Sequence, residues 1–153
     1  MGCKDSEIVN YLLTWPAIPH QESTLSDTRI IGTFISDKDA TMEYLRSSGK
    51  FTEEKLNILS GLLGKLIMEC DMVNCVSTMD AYISVEPLRI LERTDEYIIV
   101  ASQMLGEMVT SKLVFTEDGY WHLGNEAPGC HFREKFVRIG HPAEQSAQKQ
   151  PTE

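Results

Sequence analysis

No apolar run in this chain approaches the roughly 18 residues of a membrane-spanning helix, and no apolar signal-peptide core is present. Basic residues are scarce: 14 Lys and Arg stand against 23 Asp and Glu, for a net charge of −9. Binding along a phosphate backbone needs clustered cations that displace counterions, so nucleic acid is excluded as a partner. Docking on anionic lipid is disfavoured for the same reason. The densest basic stretch, Arg133, Lys135 and Arg138, is interrupted by Glu134 and Phe136 and reads as a solvated strand face.

Motifs of catalysis are missing too. There is no Gly-x-Ser-x-Gly elbow, no His-Glu-x-x-His helix and no phosphate-cradling glycine loop. Cys130 and His131 are adjacent, so on a strand they face opposite ways and form no dyad. Cys70 and Cys75, even with His122 or His131, lack the tighter paired spacing of zinc sites. His20 and His141 fall in terminal segments and read as exposed bystanders. The carboxylates are many but unpatterned, and none is marked as an acid of raised pKa. The expectation is a non-enzymatic protein with no cofactor and no metal.

What remains is enough to build a core. A chain of 153 residues with 42% hydrophobic content forms one domain and buries about two-thirds of its extended surface. Residues 1–28 read as a leader or linker, 29–140 as the folded domain and 141–153 as a disordered tail. Pro16 and Pro19 forbid a continuous helix through the leader. The start, Met1-Gly2-Cys3-Lys4-Asp5-Ser6, has three readings. It fits an N-myristoylation pattern beside an acylatable Cys3, a trimmed lipoprotein whose first residue was a lipid-bearing Cys3, or an accident. Cys70 and Cys75 flank a four-residue loop that sets them opposite each other. They form a disulfide in an oxidising compartment and stay thiols in a reducing one.

The first strand spans Arg29 to Ile35. Ser36 with Asp39 three residues on gives a capping-box start to a helix carrying Met42 and Leu45, ended by Gly49. Thr52 caps a second helix with Glu53 and Glu54 in its first turn, the stripe Leu56, Leu59 and Leu63, and Gly64 at its end. From Lys65 the period becomes two: Lys65–Met72, Asn74–Ser84, Leu88–Arg93, Glu96–Gln103, Met108–Glu117, Tyr120–Gly124 and Arg133–Ile139. With the first strand that makes about eight, the usual number for a closed up-and-down antiparallel barrel. The fold class is therefore mostly β, with a helix pair inserted between strands one and two. A turn at Thr94-Asp95 sets Leu88, Ile90, Tyr97, Ile99 and Ala101 on the inward face. Across Asp118-Gly119, Leu113, Phe115, Tyr120 and His122 share one face and Val114, Thr116, Trp121 and Leu123 the other, with neither side clearly wet.

Gly32-Thr33-Phe34 resembles the Gly-x-Trp signature that opens lipocalins and fatty-acid-binding proteins, with Phe in place of Trp. In that superfamily the aromatic closes the barrel floor and stacks on a basic residue near the chain end, for which Arg138 is the match. The helix pair resembles the lid of fatty-acid-binding proteins. The chain from Gly32 to Arg138 is also similar to a group of small bacterial lipocalin-like proteins. The shared motifs are Ser36-Asp37-Lys38, Glu53-Glu54-Lys55-Leu56, Leu63-Gly64-Lys65, Asp118-Gly119-Tyr120-Trp121 and Phe136-Val137-Arg138. The resemblance implies a barrel that holds an apolar or amphipathic small molecule, in the bacterial cell envelope or, alternatively, the cytoplasm. Phe34, Tyr97, Ile99 and Trp121 would line or floor the cavity, Leu45 and Leu59 would cap it, and Arg138 would orient the ligand or close the floor. Two other readings stay open: an envelope interaction module with a filled core, and a helix-plus-curved-sheet cone like nuclear transport factor.

Overall fold

The computed structural model describes residues 26–104, 107–124 and 132–140. Cys3 and most of the expected leader and tail lie outside the described residues. A 3-10 turn, Thr28–Ile30, leads into β1 (Gly32–Ser36), followed by α1 (Lys38–Ser48) and α2 (Glu53–Leu62). The strands β2 (Ile67–Cys70), β3 (Asn74–Met79), β4 (Tyr82–Pro87) and β5 (Arg89–Arg93) come next. The chain continues through β6 (Tyr97–Met104), β7 (Glu107–Thr116), β8 (Gly119–Leu123) and β9 (Arg133–Arg138).

All nine strands form one antiparallel sheet in the order β4-β3-β2-β1-β9-β8-β7-β6-β5. The first strand pairs with the last, with Ile35 opposite Val137. The two border strands, β4 and β5, are consecutive in the chain and separated by Leu88 alone. The sheet therefore curls into a nearly closed barrel whose seam is a single bent stretch of backbone. Beside that seam β4 and β6 share no ladder; the backbone N–H of Gln103 reaches the Glu86 carboxylate at 3.3 Å instead. This connectivity is consistent with a calycin-like fold. It overturns the cone alternative, which sets its helices ahead of every strand, whereas here β1 precedes both.

Three local expectations are corrected. Asn74–Ser84 is not one strand: a hairpin at Asp80-Ala81 splits it, with Met79 opposite Tyr82. Asp80 takes φ 54°, a left-handed conformation that Asp tolerates better than most residues. Taking β4 and β5 as one bent strand restores a count of eight around the barrel. The first strand begins at Gly32, because Thr28–Ile30 winds into a turn capped by the Asp27 side chain. Helix α1 is capped by Asp37, whose carboxylate accepts from the Ala40 N–H at 3.0 Å, and not by Ser36. Ser36 Oγ serves elsewhere: it donates to Glu134 and accepts from the Gly64 N–H. The Thr52 cap and the left-handed Gly49 stop stand where the sequence puts them.

Two apolar clusters result. The barrel interior holds Ile30, Phe34, Ile90, Ile98, Leu113 and Phe136 among others. Met42, Leu45, Leu56 and Leu63 make a second cluster between the helices, closed by Phe132 just ahead of β9. Thr41 Oγ1 accepts the Lys135 N–H where β1 has ended, and this fixes α1 beside β9.

Candidate functional site

One end of the barrel is sealed by a polar plug. The buried Asp27 carboxylate accepts from the backbone and guanidinium of Arg29, at 2.9 and 2.6 Å, and lies 3.2 Å from Arg93 Nε. The Arg29 hydrogen bond holds the Asp27 carboxyl below its ordinary range, against the opposing effect of burial. Arg29 also donates to the carbonyls of Thr94 and Asp95 and lies 4.2 Å from the Phe115 ring centroid. Next to it, Arg138 donates to the carbonyls of Ile31 and Arg29 at 2.6 and 2.8 Å and covers the Phe34 ring at 4.7 Å. Gly32 makes room for this: a Cβ there would stand 2.7 Å from Arg138 Nη1. With both terminal nitrogens given to carbonyls, Arg138 closes the floor.

Above the floor lies a cavity of about 150 Å³, walled mainly by apolar side chains. Ile30, Met68, Leu88, Val100 and Leu113 supply much of that wall, and Cys70 and Cys75 contribute their disulfide. Cys70 and Cys75 are direct partners across the β2–β3 hairpin, held by Asp71 accepting the N–H groups of Val73 and Asn74. Part of the polar lining gathers on β7, β8 and β9, from Ser111, Tyr120, His122 and Glu134; the rest, Ser77, Glu86, Arg89 and Ser102, stands on β3 to β6. His122 and Glu134 are direct cross-strand partners, as are Tyr120 and Phe136. Among the described residues, neither ring nitrogen of His122 and not the Tyr120 hydroxyl has a hydrogen-bond partner. Glu134 has one, Ser36 Oγ at 2.6 Å.

Burial sets the protonation of this group. It pushes the His122 imidazole down to about 4, so the ring is neutral at pH 7. It raises Glu134, partly offset by the Ser36 hydrogen bond. It raises Tyr120 as well, and the neighbouring Glu134 charge adds to that rise. Glu134 is thus a carboxyl of raised pKa, which corrects the expectation that none was marked.

A second, more polar cavity of about 320 Å³ occupies the unpaired seam between β4 and β6. It shares Glu86, Pro87, Arg89, Ala101 and Ser102 with the interior cavity, so the two adjoin through the seam.

Most residues expected to line the ligand stand elsewhere. Tyr97 and Ile99 point outward: Ile98 pairs with Leu113 on the inside, while Tyr97 faces Val114 and lies under Lys112 Nζ at 4.1 Å. The connection runs over Thr94–Glu96 rather than Thr94-Asp95 alone, and a bulge shifts register between Ile90 and Glu92. A one-residue slip exchanges the faces of a strand, so Ile98 and Val100 take the inward places. Trp121 is also outward, 5.5 Å from the Tyr44 ring of α1. Leu45 and Leu59 belong to the helix cluster and line neither of these two cavities. Phe34 is buried at the floor side of the core, 5.0 Å from Tyr120. Lys135 is not solvated: it is buried, hydrogen-bonded to Thr116 Oγ1, and paired with Asp118 at 2.7 Å. That contact lowers the Asp118 pKa.

The residues that sequence reasoning missed are Glu134 and Ser111, with Tyr120 and His122 placed on a shared face but not assigned to the inside. The available signal was alternation along β9: Glu134, Phe136 and Arg138 share a face, and Arg138 was already tied to Phe34. Compared with known protein families, curated proteins and solved structures, the chain matches none.

Proposed function

We propose that this protein is a container: it holds one small, mostly apolar molecule with a single polar end inside the barrel. The observation that carries this is the interior cavity, apolar over most of its wall, with a polar cluster on β7 to β9 where His122 and Tyr120 offer hydrogen-bonding groups that no described residue takes up. Binding sites combine these two features, an apolar wall and a few convergent polar anchors. The size limits the occupant. A cavity of about 150 Å³ corresponds to one that accommodates benzene, so a single ring or a short branched chain fits within it. Binding is favoured over catalysis because the His122 ring has no described partner to orient it, as a working general base requires.

The test is titration with benzyl alcohol, followed by nuclear magnetic resonance of interior residues. Saturable shifts confined to Leu113, Tyr120, His122 and Phe136, abolished by the cavity-filling Ser111→Phe, are expected. Equal response of wild type and Ser111→Phe, or none at all, overturns the reading.

A further inference from the structure

The geometry points to a cationic occupant: the cavity selects a small cyclic or aromatic amine, whose ammonium group pairs with Glu134. This rests on the container reading above and names the class of ligand for that same site.

Charge comes first. Glu134 lines the cavity, and its Oε1 accepts from Ser36. Among the described residues it has no Lys, Arg or His within ion-pair distance. The remaining charges on the cavity wall are Glu86 and Arg89, both at the seam rather than beside Glu134. The nearest basic neighbour in the ladder, His122, is held neutral by its surroundings. A partly buried carboxylate is costly without a partner, and only a neutralising proton or an arriving cation removes that cost.

Hydrogen bonding agrees. A neutral imidazole carries one acceptor nitrogen and one N–H donor, and the carboxylate accepts only. The two face each other across β8 and β9, so this end offers acceptors on Glu134 and His122 beside the donors of His122 and the Tyr120 hydroxyl. An ammonium group brings three donors and no acceptor, which suits the carboxylate and the free imidazole nitrogen. A carboxylate ligand brings the reverse and meets Glu134 as a like charge.

Shape adds the third element. The rings of Tyr120 and Phe136 stack at 5.3 Å beside this end, and His122 meets Phe136 edge-on. Aromatic faces attract cations and pack single rings. Arg138 offers no positive charge to an anionic ligand at this end, because both its terminal nitrogens are committed to the floor carbonyls.

The experiment compares three probes of nearly equal size on the intact protein by calorimetry at pH 7: benzylamine, benzyl alcohol and benzoate. Benzylamine is expected to bind roughly ten- to a hundredfold more tightly than benzyl alcohol, the value of a charge-assisted hydrogen bond, and benzoate more weakly than either. Glu134→Gln, which keeps an acceptor for Ser36, is expected to abolish the preference for benzylamine over benzyl alcohol, with both still bound. Retained alcohol binding also reports that the variant is folded; should it fail to fold, Glu134→Asp, which keeps the charge, is expected to preserve the preference for the amine. Benzyl alcohol binding with no advantage for benzylamine overturns the amine assignment and leaves the container reading standing. Failure of all three probes overturns both.

Discussion

Arg138 and Phe34 sit directly opposite each other on β9 and β1, and the guanidinium lies 4.7 Å from the ring centroid. The contact joins the two ends of the folded chain at the point where the barrel closes. It depends on Gly32 twice, through a φ of 130° that side chains rarely adopt and through the room it leaves for Arg138. Gly32→Ala is therefore expected to lower unfolding free energy by about 2–4 kcal/mol, combining backbone strain with a displaced guanidinium. Arg138→Lys should cost about 1.5–3 kcal/mol, since a single ammonium cannot serve two carbonyls and cover a ring at once. Urea denaturation of the two variants reads both values; wild-type stability in Gly32→Ala would refute the role of this close approach.

The protonation of His122 makes stability depend on pH in a defined window. Its folded pKa of about 4 lies below the ordinary 6.5, so between those values the unfolded chain binds the extra proton and the folded chain resists it. The protein is thus expected to lose stability as pH falls from 6.5 towards 4, and to lose none from this source above 6.5. At about 1.4 kcal/mol per unit, the full penalty amounts to about 3 kcal/mol. Asp27 acts lower on the scale. Its pKa is depressed, so its contribution is present above the ordinary carboxylate range and disappears only as pH falls through the folded value. Denaturation of wild type and His122→Gln at pH 7, 5.5 and 4 separates the two: the variant should pull ahead of wild type below pH 6.5 and keep the Asp27-driven loss in stronger acid.

Glu134 has the opposite sign. Its folded pKa is raised, mainly by burial, so folding favours the protonated form and the charged form weakens the empty protein above that pKa. Glu134→Gln should accordingly raise the melting temperature at pH 7, and this advantage should shrink as pH is lowered through the carboxylate range. A mutation that stabilises the empty barrel while weakening amine binding is the pattern of a group kept for its ligand.

The architecture was legible because its signals are local. Thr52 and Gly49 mark helix ends by conformational rules that act over a few residues, and the structure keeps both; the β7–β8 turn falls one residue earlier than Asp118-Gly119, on Glu117-Asp118, with Thr116 opposite Gly119. A turn at Asp118-Gly119 would set Phe115 opposite His122; the earlier turn sets Leu113 opposite His122 and Phe115 opposite Tyr120, a two-residue shift that keeps each side chain on its expected face. Cavity residues were less legible because facing depends on register. The bulge between Ile90 and Glu92 decides which residues of β6 face inward, and it carries no glycine or proline to announce it. Glu134 was hidden for a different reason: flanked by Arg133 and Lys135, it looks like part of a charged surface. Only the alternation of β9 puts it inside while Lys135 pairs with Asp118 on the other side.

The helix pair supplies a final prediction, because its apolar stripe turned out to serve packing between helices and β9 rather than the cavity. Leu45 is fully buried among Met42, Leu56 and Leu63. Truncating such a side chain removes its transfer free energy and leaves a void, so Leu45→Ala should cost about 2–5 kcal/mol. If Leu45 were a lid on the ligand, the same change would also enlarge the site and alter affinity. Since Leu45 does not line the interior cavity, benzyl alcohol affinity is expected to stay within about twofold of wild type at a temperature where the variant is folded. Ser111→Phe should behave in reverse, abolishing binding while leaving stability near wild type, because the added ring fills existing space on β7. Thermal denaturation and calorimetry on the two variants form a crossed pair. Loss of ligand binding in Leu45→Ala, with its fold intact, would return the helices to the role of a lid and move the site from the interior to their end of the barrel.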